Sequence, residues 1–419
     1  MRELTWLALL VGASACTFSP DAPADASTFE PPRDGGGADL GEVGTVDLGL
    51  GDAGLPDLGI EDAGPEDLGA EDSGSVPSPF DFEVSNLDPS QFPASGNLEL
   101  PEDQACVFST DSLELEDGCS AALAPEAISV FALSSGAEVA VISVLDVVLK
   151  GRLELRGARG LVLLVGGDAS LEGTLDASAA STVSGPGGDR LETCGARFGG
   201  VGGDAGGGGG GFSTPGGAGG ETDERAGAAG GEAGFVAFPL EPLEGGCAGG
   251  GLSEDVRGGA GGGAVQVSVA GQLGVTGAIL AVGGGGPGGA EGTLGGSGGG
   301  SGGAVLLEAA VLVLEDGARL SAAGGGGGGG GQPGLAGAGG EDGLSEPEPA
   351  AGGASSLGGA GGPGGAAEVE PEPGDSAEEE GTGGGGGGGA SGVLQLRGIE
   401  RCALATDIGL SPAAAIACP

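Results

Sequence analysis

Two stretches determine how we expect this chain to fold: GAVQVSVAGQLGVTGAILAVGGGG, residues 263–286, and GAVLLEAAVLVLEDGARLSAAGGGG, residues 303–327. They align without a gap at an offset of 40 residues. In each, two short runs rich in Val, Leu and Ile are separated by a tight turn and followed by glycine, which is a pattern of strand, turn, strand and glycine-rich excursion. A stretch from Gly160, GLVLLVGGDASLEGTLDASAAS, fits with one residue fewer before Gly173, and SGVLQLRGIE from Ser391 reads as a partial last copy.

Repeats of this length cannot bury an apolar face alone, so their recurrence favours stacking into a solenoid. Short strand-like runs begin at about Phe80, and no helical periodicity of useful length competes with them. We therefore predict an all-β fold, a parallel β-helix with Val, Leu and Ile stacked inside successive coils.

Glycine supplies 105 of the 419 residues and forms unbroken runs at 206–211, 324–331 and 383–389. Two alternatives remain open for these runs. They are mobile loops, because glycine loses the most entropy on ordering, or packed polyglycine II helices with three residues per turn, which only glycine allows to approach closely. A later acidic stretch, 341–380, has eleven acids and no base, and we predict a disordered surface loop there with weak binding of divalent cations.

The alternation of AVLLEAAVLVLEDGARLSAAGG with GGGGGGGG and GGAGG tracts resembles the glycine-rich repeat regions of PE-PGRS-like proteins. It also resembles glycine-rich surface lipoproteins of Gram-negative bacteria. The resemblance covers about residues 140 to 400, and the N-terminal PE helical domain is absent. It implies display on a cell surface, and it carries over a fold but no activity.

The first sixteen residues, MRELTWLALLVGASAC, have the organisation of a secretory signal. The segment Ala13-Ser14-Ala15-Cys16 resembles a bacterial lipobox, although Ala13 stands where Leu is usual and Glu3 weakens the basic start. The resemblance implies removal of residues 1–15 and a lipid on Cys16. Thr17 replaces the Asp that retains such lipoproteins at the inner membrane, which favours the outer membrane. The alternative is an ordinary signal peptide cut after Ala15, which leaves Cys16 as a free thiol.

Residues 16–79 are predicted to form a disordered acidic tether. From Asp47 the decapeptides DLGLGDAGLP, DLGIEDAGPE and DLGAEDSGSV follow one another, and no Lys or Arg occurs between Asp34 and Asp72. Such a stretch cannot bury enough apolar surface to offset chain entropy, and its charges repel one another. Neither the calcium β-roll pattern nor the EF-hand pattern is present. After the tether we predict a small Cys-containing capping region at 80–135 and the repeat region at 136–419.

The chain has seven cysteines, and lipidation of Cys16 would leave six that can pair. No CxxC spacing indicates zinc or thiol redox chemistry, and six paired cysteines suit an oxidising compartment. Six cysteines allow 15 pairings, and the sequence alone does not choose among them. The pairing we expect is local: Cys106 with Cys119, Cys194 with Cys247, and Cys402 with Cys418.

Charge and composition exclude several functions. The net charge of −48 disfavours nucleic acid as a partner, and the absence of His excludes Ser/His/Asp catalysis. The one lysine, Lys150, does not lie in a phosphate-binding loop. We therefore predict no catalytic residue, no metal and no cofactor.

The predicted function is that of a non-enzymatic, lipid-anchored cell-surface protein with a structural or adhesive role, directed at surface glycans or other cells. The alternative is a β-helix polysaccharide lyase or hydrolase. Its candidate acids would be Asp146, Asp168, Asp176, Glu308 and Asp316, and its candidate bases Lys150, Arg152, Arg156 and Arg159. Against this alternative, such residues are ordinarily solvated turn and outward-facing side chains.

Overall fold

The computed structural model describes residues 78–116, 119, 123–234, 236–253, 256–292 and 294–419. The predicted signal peptide, Cys16 and the predicted tether as far as residue 77 lie outside these ranges. All described residues belong to one compact unit, Gly69–Pro419.

Seventeen strands carry the apolar side chains of this unit. They are β1 (Leu98–Leu100), β2 (Ala105–Ser109), β3 (Glu114–Leu115), β4 (Ile128–Ala132), β5 (Glu138–Val144), β6 (Val147–Leu149), β7 (Arg152–Arg156), β8 (Gly160–Val165), β9 (Ala169–Leu171), β10 (Thr174–Asp176), β11 (Ala264–Val275), β12 (Ala278–Leu280), β13 (Ala304–Leu314), β14 (Arg319–Ser321), β15 (Val393–Leu404), β16 (Gly409–Ser411) and β17 (Ala415–Ala417). A one-turn helix, α1, spans Leu191–Cys194, and 3₁₀ turns lie at Pro89–Gln91, Pro125–Ala127 and Gly195–Arg197.

The strands form two sheets. The larger sheet has ten strands, with β1, β6, β9, β11, β13, β15 and β17 along one path and β4, β5 and β8 joined to β11 through β8. The smaller sheet has seven strands, in the order β16, β14, β12, β10, β7, β2 and β3. Most neighbours are parallel, but β4 pairs with β5 and β3 pairs with β2 in the antiparallel sense.

The prediction of a parallel β-helix is therefore wrong. Both large sheets are mixed, and no closed solenoid is found in the part of the chain that the structure describes. The physical reason lies in the glycine segments, which we treated as excursions from a coil. The chain leaves the sheets completely after β10, β12 and β14, and it builds a separate hydrogen-bonded layer before it returns to the next strand.

The main apolar core lies between the two sheets, where Leu163, Val267 and Leu307 of the larger sheet meet Leu175 and Ile279 of the smaller one. A second core covers the opposite face of β5, β8, β11 and β13. Its cover comes from residues 80–92 and from the loop around Leu240. Burial on both faces explains why β8 reads as the continuous apolar run GLVLLV instead of an alternating one.

The glycine segments form a bundle with a three-residue period. Along residues 383–390, successive N–H groups donate in turn to three neighbouring segments, and successive carbonyls accept in turn from three others. The donors at 383, 386 and 389, for example, reach the carbonyls of 331, 328 and 325 at 2.8–2.9 Å. Three residues per turn is the geometry of polyglycine II. Of the two alternatives for the glycine runs, the structure has the packed one.

The acidic stretch 341–380 also joins this bundle. The N–H groups of residues 359, 362 and 365 donate to the carbonyls of 383, 386 and 389, and residues 372 and 375 accept from 388 and 385. The chain here is tied by its backbone to the glycine bundle and differs from the disordered loop we expected. The acidic side chains themselves are mostly exposed at the surface of the bundle.

Candidate functional site

The candidate acids and bases of the enzyme alternative are mostly paired locally on the surface. Each candidate base has a carboxylate partner on its own or a neighbouring strand or turn, and each pair has at least one exposed side chain, although Asp176 is buried. The pairs are Lys150 with Glu172 (3.7 Å), Arg152 with Asp176, Arg156 with Glu154 (2.7 Å) and Arg159 with Glu138 (2.9 Å). Exposed pairs of this kind stabilise a surface weakly and offer no free base beside a free acid.

Asp146 and Asp168 are the two candidate acids that the structure places in succession on one face. The Asp146 carboxylate accepts the backbone N–H of Asp168 at 3.0 Å, and the Asp168 carboxylate accepts the N–H of Gln272 at 2.7 Å. Both therefore satisfy the backbone at the corners where neighbouring strands bend. The shallow concavity beside them also contains Glu99 and Glu315 but none of the candidate bases. Among the described residues, no three His, Cys, Asp or Glu side chains are grouped to hold a metal ion.

Glu308 is fully buried, and among the other candidate acids only Asp176, at 4% exposed, is buried as well. It lies on β13 and accepts hydrogen bonds from Ser85, Gln266, Ser268 and Arg397. The outward-facing, solvated position that we considered for it is not observed. Asp316, in contrast, is an exposed residue of the turn after β13.

A partly buried carboxyl that sequence reasoning missed is Asp189, which lies where the chain passes from β10 into the bundle. Burial raises the pKa of Asp189 to about 6, and the N–H of Gly261 and the charge of Arg257 oppose this rise. The Gly261 N–H donates to the carboxylate at 3.0 Å, and Asp189 has a positive φ of 56°. Its sequence context, GGDR, carries no signal that distinguishes it from an ordinary turn aspartate.

The six cysteines other than Cys16 form three disulfides. They join Cys106 to Cys119, Cys194 to Cys247, and Cys402 to Cys418, which is the local pairing that we expected. The Cys194–Cys247 bond fastens α1 to a glycine segment of the bundle. Cys16, the predicted lipid site, lies outside the described residues.

The bundle has one end beside the sheets and one end far from them. Residues 322 and 392, adjacent to β14 and β15, are hydrogen bonded to each other, and the pairing continues outward to residues 331 and 383. Nine residues of polyglycine helix at about 3.1 Å per residue place that far end roughly 28 Å from the sheets. Other glycine segments are hydrogen bonded alongside residues 383–392. The turns at which the chain reverses direction between these segments therefore also lie at the far end.

We call these reversals the distal turns. They are the turns at 203–205, 221–226, 332–335, 355–358 and 377–382, together with the reversal that follows Gly289. Eight exposed acids lie in these turns, together with the exposed Arg225 and two exposed leucines, Leu335 and Leu357. The exposed acids are Asp204, Glu221, Asp223, Glu224, Glu291, Glu378, Glu379 and Glu380.

The glycine positions in the interior of the bundle have no room for a side chain, and residues buried beside them, such as Ser297, Ser301 and Ala390, are small. A Cβ atom added at Gly386 would lie 2.0 Å from the carbonyl oxygen of Ser297, and one added at Gly388 would lie 1.8 Å from that of Pro363. Any chemistry that this layer presents to a partner must therefore come from its turns and its outer segments.

No helix in the described ranges has the length and apolar character needed to cross a bilayer. Comparison of the chain with protein-family models, with curated proteins and with solved structures finds no match.

Proposed function

We propose that the protein is a non-enzymatic, lipid-anchored extracytoplasmic protein of the outer membrane with a structural or adhesive role. In this proposal Cys16 carries the anchor, residues 16–79 form the spacer, and the folded unit presents a binding surface to surface glycans or other cells. The lipobox-like Ala13-Ser14-Ala15-Cys16 segment and the complete pairing of the other six cysteines support the anchor.

The observation that carries the adhesive role is the contrast between the interior of the glycine bundle and its distal turns. The interior is hydrogen bonded throughout residues 383–390, and its glycine positions have no room for a side chain, so it is suited to be a stiff support. The distal turns carry the exposed acids and leucines about 28 Å from the sheets. Binding residues are commonly located on loops that a rigid scaffold positions, and this arrangement is of that type.

The anchor is tested by mass spectrometry of the mature N-terminus from membranes of the native host. We expect a chain that begins at Cys16 and carries acyl groups, and we expect Cys16→Ser to release the protein from the membrane fraction. An unmodified Cys16 thiol at the N-terminus, or a start at another residue, would refute the anchor and leave an ordinary secreted protein.

The adhesive role is tested in cells that lack the gene and are complemented with variants. Leu335→Ser combined with Leu357→Ser changes two distal turns without touching the glycine interior, and we expect it to reduce attachment as strongly as gene deletion does. The matched control is Val130→Ser combined with Leu145→Ser, which changes two residues of similar exposure in the strand region. Equal attachment by both double variants and the wild type, at equal surface amounts, would exclude the distal turns as the adhesive surface.

A further inference from the structure

Residues 80–92, which we call the strap, lie across the face of the larger sheet and are the first well-packed part of the described chain. Phe80 and Phe82 contact each other edge to face at 5.5 Å, and Phe92 does the same with Phe131 of β4 at 5.6 Å. Val84 and Leu87 are buried in the second core. The strap therefore joins the tether region to the folded unit.

The centre of the contact is a polar group, although apolar residues surround it. Both oxygens of the buried Glu308 carboxylate accept hydrogen bonds from Ser85, one from its backbone N–H at 3.1 Å and one from its hydroxyl at 2.6 Å. Ser268 of β11 donates to the same carboxylate at 3.0 Å, and Arg397 of β15 donates at 2.9 Å. A single side chain thus connects the strap to three neighbouring strands, β11, β13 and β15.

Two further contacts strengthen this connection. Arg397 also donates to the carbonyl of Glu83 at 3.0 Å, and its guanidinium lies 6.0 Å from the centre of the Phe82 ring. Gln266 of β11 donates to the carbonyl of Ser85 at 2.8 Å and accepts from the amide of Asn86 at 2.9 Å. Each strap residue from 82 to 86 except Val84 therefore has a polar or ring contact with the sheet.

A buried carboxylate is tolerated only while its partners are in place, because an unpaired charge in the protein interior is strongly destabilising. Release of the strap would take both Ser85 donors from Glu308 and would open the carboxylate to the solvent. The Glu308 group also requires β11, β13 and β15 to be in register, since each contributes to it. Docking of the strap is thus coupled to the assembly of three strands from three different repeats.

We propose that the strap is a clamp, with Glu308 as its central residue, that passes tension from the tether into three strands of the larger sheet at once. The load-bearing role rests on the proposed membrane anchor, whereas the clamp itself does not. Without the clamp, tension would act first on β1, which has three residues and pairs only with β6 along its length. The clamp places the load on the longest strands of the sheet instead.

The clamp is tested by hydrogen exchange of the full mature chain without its lipid, so that the result does not depend on the anchor. Glu308→Gln keeps the shape of the side chain and removes its charge, and Glu315→Gln removes an exposed charge at the end of the same strand. We expect amide exchange in residues 80–92 to accelerate on the order of ten- to a hundredfold in Glu308→Gln, as loss of a charged hydrogen-bond partner implies. Exchange at the centres of β11 and β13 should change less than about twofold, and Glu315→Gln should change neither.

Equal strap exchange in Glu308→Gln and Glu315→Gln would overturn the proposal, and so would acceleration of the strap and the strand centres by the same factor. If Glu308→Gln does not fold, Ser85→Ala is measured and judged by the same two criteria, because it removes one donor from the strap side alone. Pulling the chain between a handle before residue 78 and one after Pro419 then tests the load. We expect Ser85→Ala to lower the force of the first extension, and an unchanged force would refute the load-bearing role.

Discussion

Substitution of Gly386 by alanine should destabilise the folded unit strongly although it adds a single methyl group. Gly386 lies in the middle of the glycine run 383–389. Its N–H donates to the carbonyl of Gly328, and its carbonyl accepts from the N–H of Gly362, both at 2.8 Å. The new Cβ would lie 2.0 Å from the carbonyl oxygen of Ser297, whereas ordinary contact begins at 3.4 Å. The two segments would have to move apart by more than about 1 Å, which exceeds the tolerance of a hydrogen bond.

The size of the effect follows from the bonds between these two segments. Gly296 and Gly299 donate to the carbonyls of residues 384 and 387 at 2.8 and 2.9 Å, one on each side of Gly386. Loss of both leaves buried polar groups without partners, at about 1–3 kcal/mol each. Alanine also restricts the unfolded chain, which returns about 0.4–1 kcal/mol. The cost of two lost bonds minus this gain is an expected net loss of about 1–5 kcal/mol in the free energy of unfolding.

The matched control is Gly339→Ala in an outer segment of the same bundle. The nearest atom to a Cβ at Gly339 is the carbonyl oxygen of Gly286 at 3.6 Å, and the residue is exposed. We expect this change to be neutral or slightly stabilising. The measurement is urea unfolding with the disulfides intact, compared at equal slope so that the midpoint reports stability. A loss below about 1 kcal/mol for Gly386→Ala, or one no larger than that for Gly339→Ala, would refute the close packing of the glycine segments.

Two further predictions concern the Asp189 carboxyl and the disulfide bonds. Burial raises the pKa of the Asp189 carboxyl from 3.8 to about 6, so the folded state binds the carboxyl proton more tightly than the unfolded state does. Above pH 6 the ionised carboxylate therefore lowers the free energy of unfolding. This cost disappears as the pH falls towards 4. Asparagine tolerates the positive φ at this position. Asp189→Asn should therefore raise the free energy of unfolding by at most about 3 kcal/mol at pH 7.5 and by much less at pH 4. An equal gain at both pH values would contradict this reasoning. Removal of the Cys194–Cys247 bond, which closes a separation of 53 residues, should lower the free energy of unfolding by about 4 kcal/mol. Removal of the Cys106–Cys119 bond, which closes a separation of 13 residues, should lower it by about 3 kcal/mol. Urea unfolding of the paired Cys→Ala variants measures both losses, and the reverse order would contradict the loop-entropy reasoning.

The strands were predictable from the sequence, but their arrangement was not. The runs in 263–286 and 303–327 do form β11 to β14, and corresponding strands do pair. Ala264 faces Ala304, but Gln272 faces Val311 and Ala278 faces Arg319, so the separation of partners changes from 40 to 39 and then to 41. An irregularity between Val269 and Gln272 accounts for the first change, and the longer turn between β13 and β14 than between β11 and β12 accounts for the second. A gapless alignment cannot show such compensating shifts, because apolar residues occupy both registers.

The position of Glu308 was not predictable for a different reason. On β13 it shares a face with Leu306. The alternation of side chains along the strand does not decide whether that face meets the solvent or a second core. The choice depends on the strap, whose Ser85 precedes Glu308 by 223 residues. No local pattern connects the two positions. The cysteine pairing agrees with the local one that we expected, although six cysteines allow 15 pairings and the sequence does not choose among them.

The sequence left the polyglycine bundle as one of two alternatives because side chains give the usual measure of the capacity to fold. Aromatic residues make up only 3% of the chain, so few large side chains are present to build a conventional core. In the bundle, however, the backbone itself provides the contacts: along residues 383–390 each N–H donates to a neighbouring segment and each carbonyl accepts from one. A run of identical residues has no phase, so its three-residue period cannot be read from its sequence. The same close packing excludes charged side chains from the interior, and the acids that this part of the chain carries must then lie at its turns and outer segments. Once the packing of the glycines is known, the positions of the charged residues indicate where a binding surface can lie. The composition alone does not indicate this.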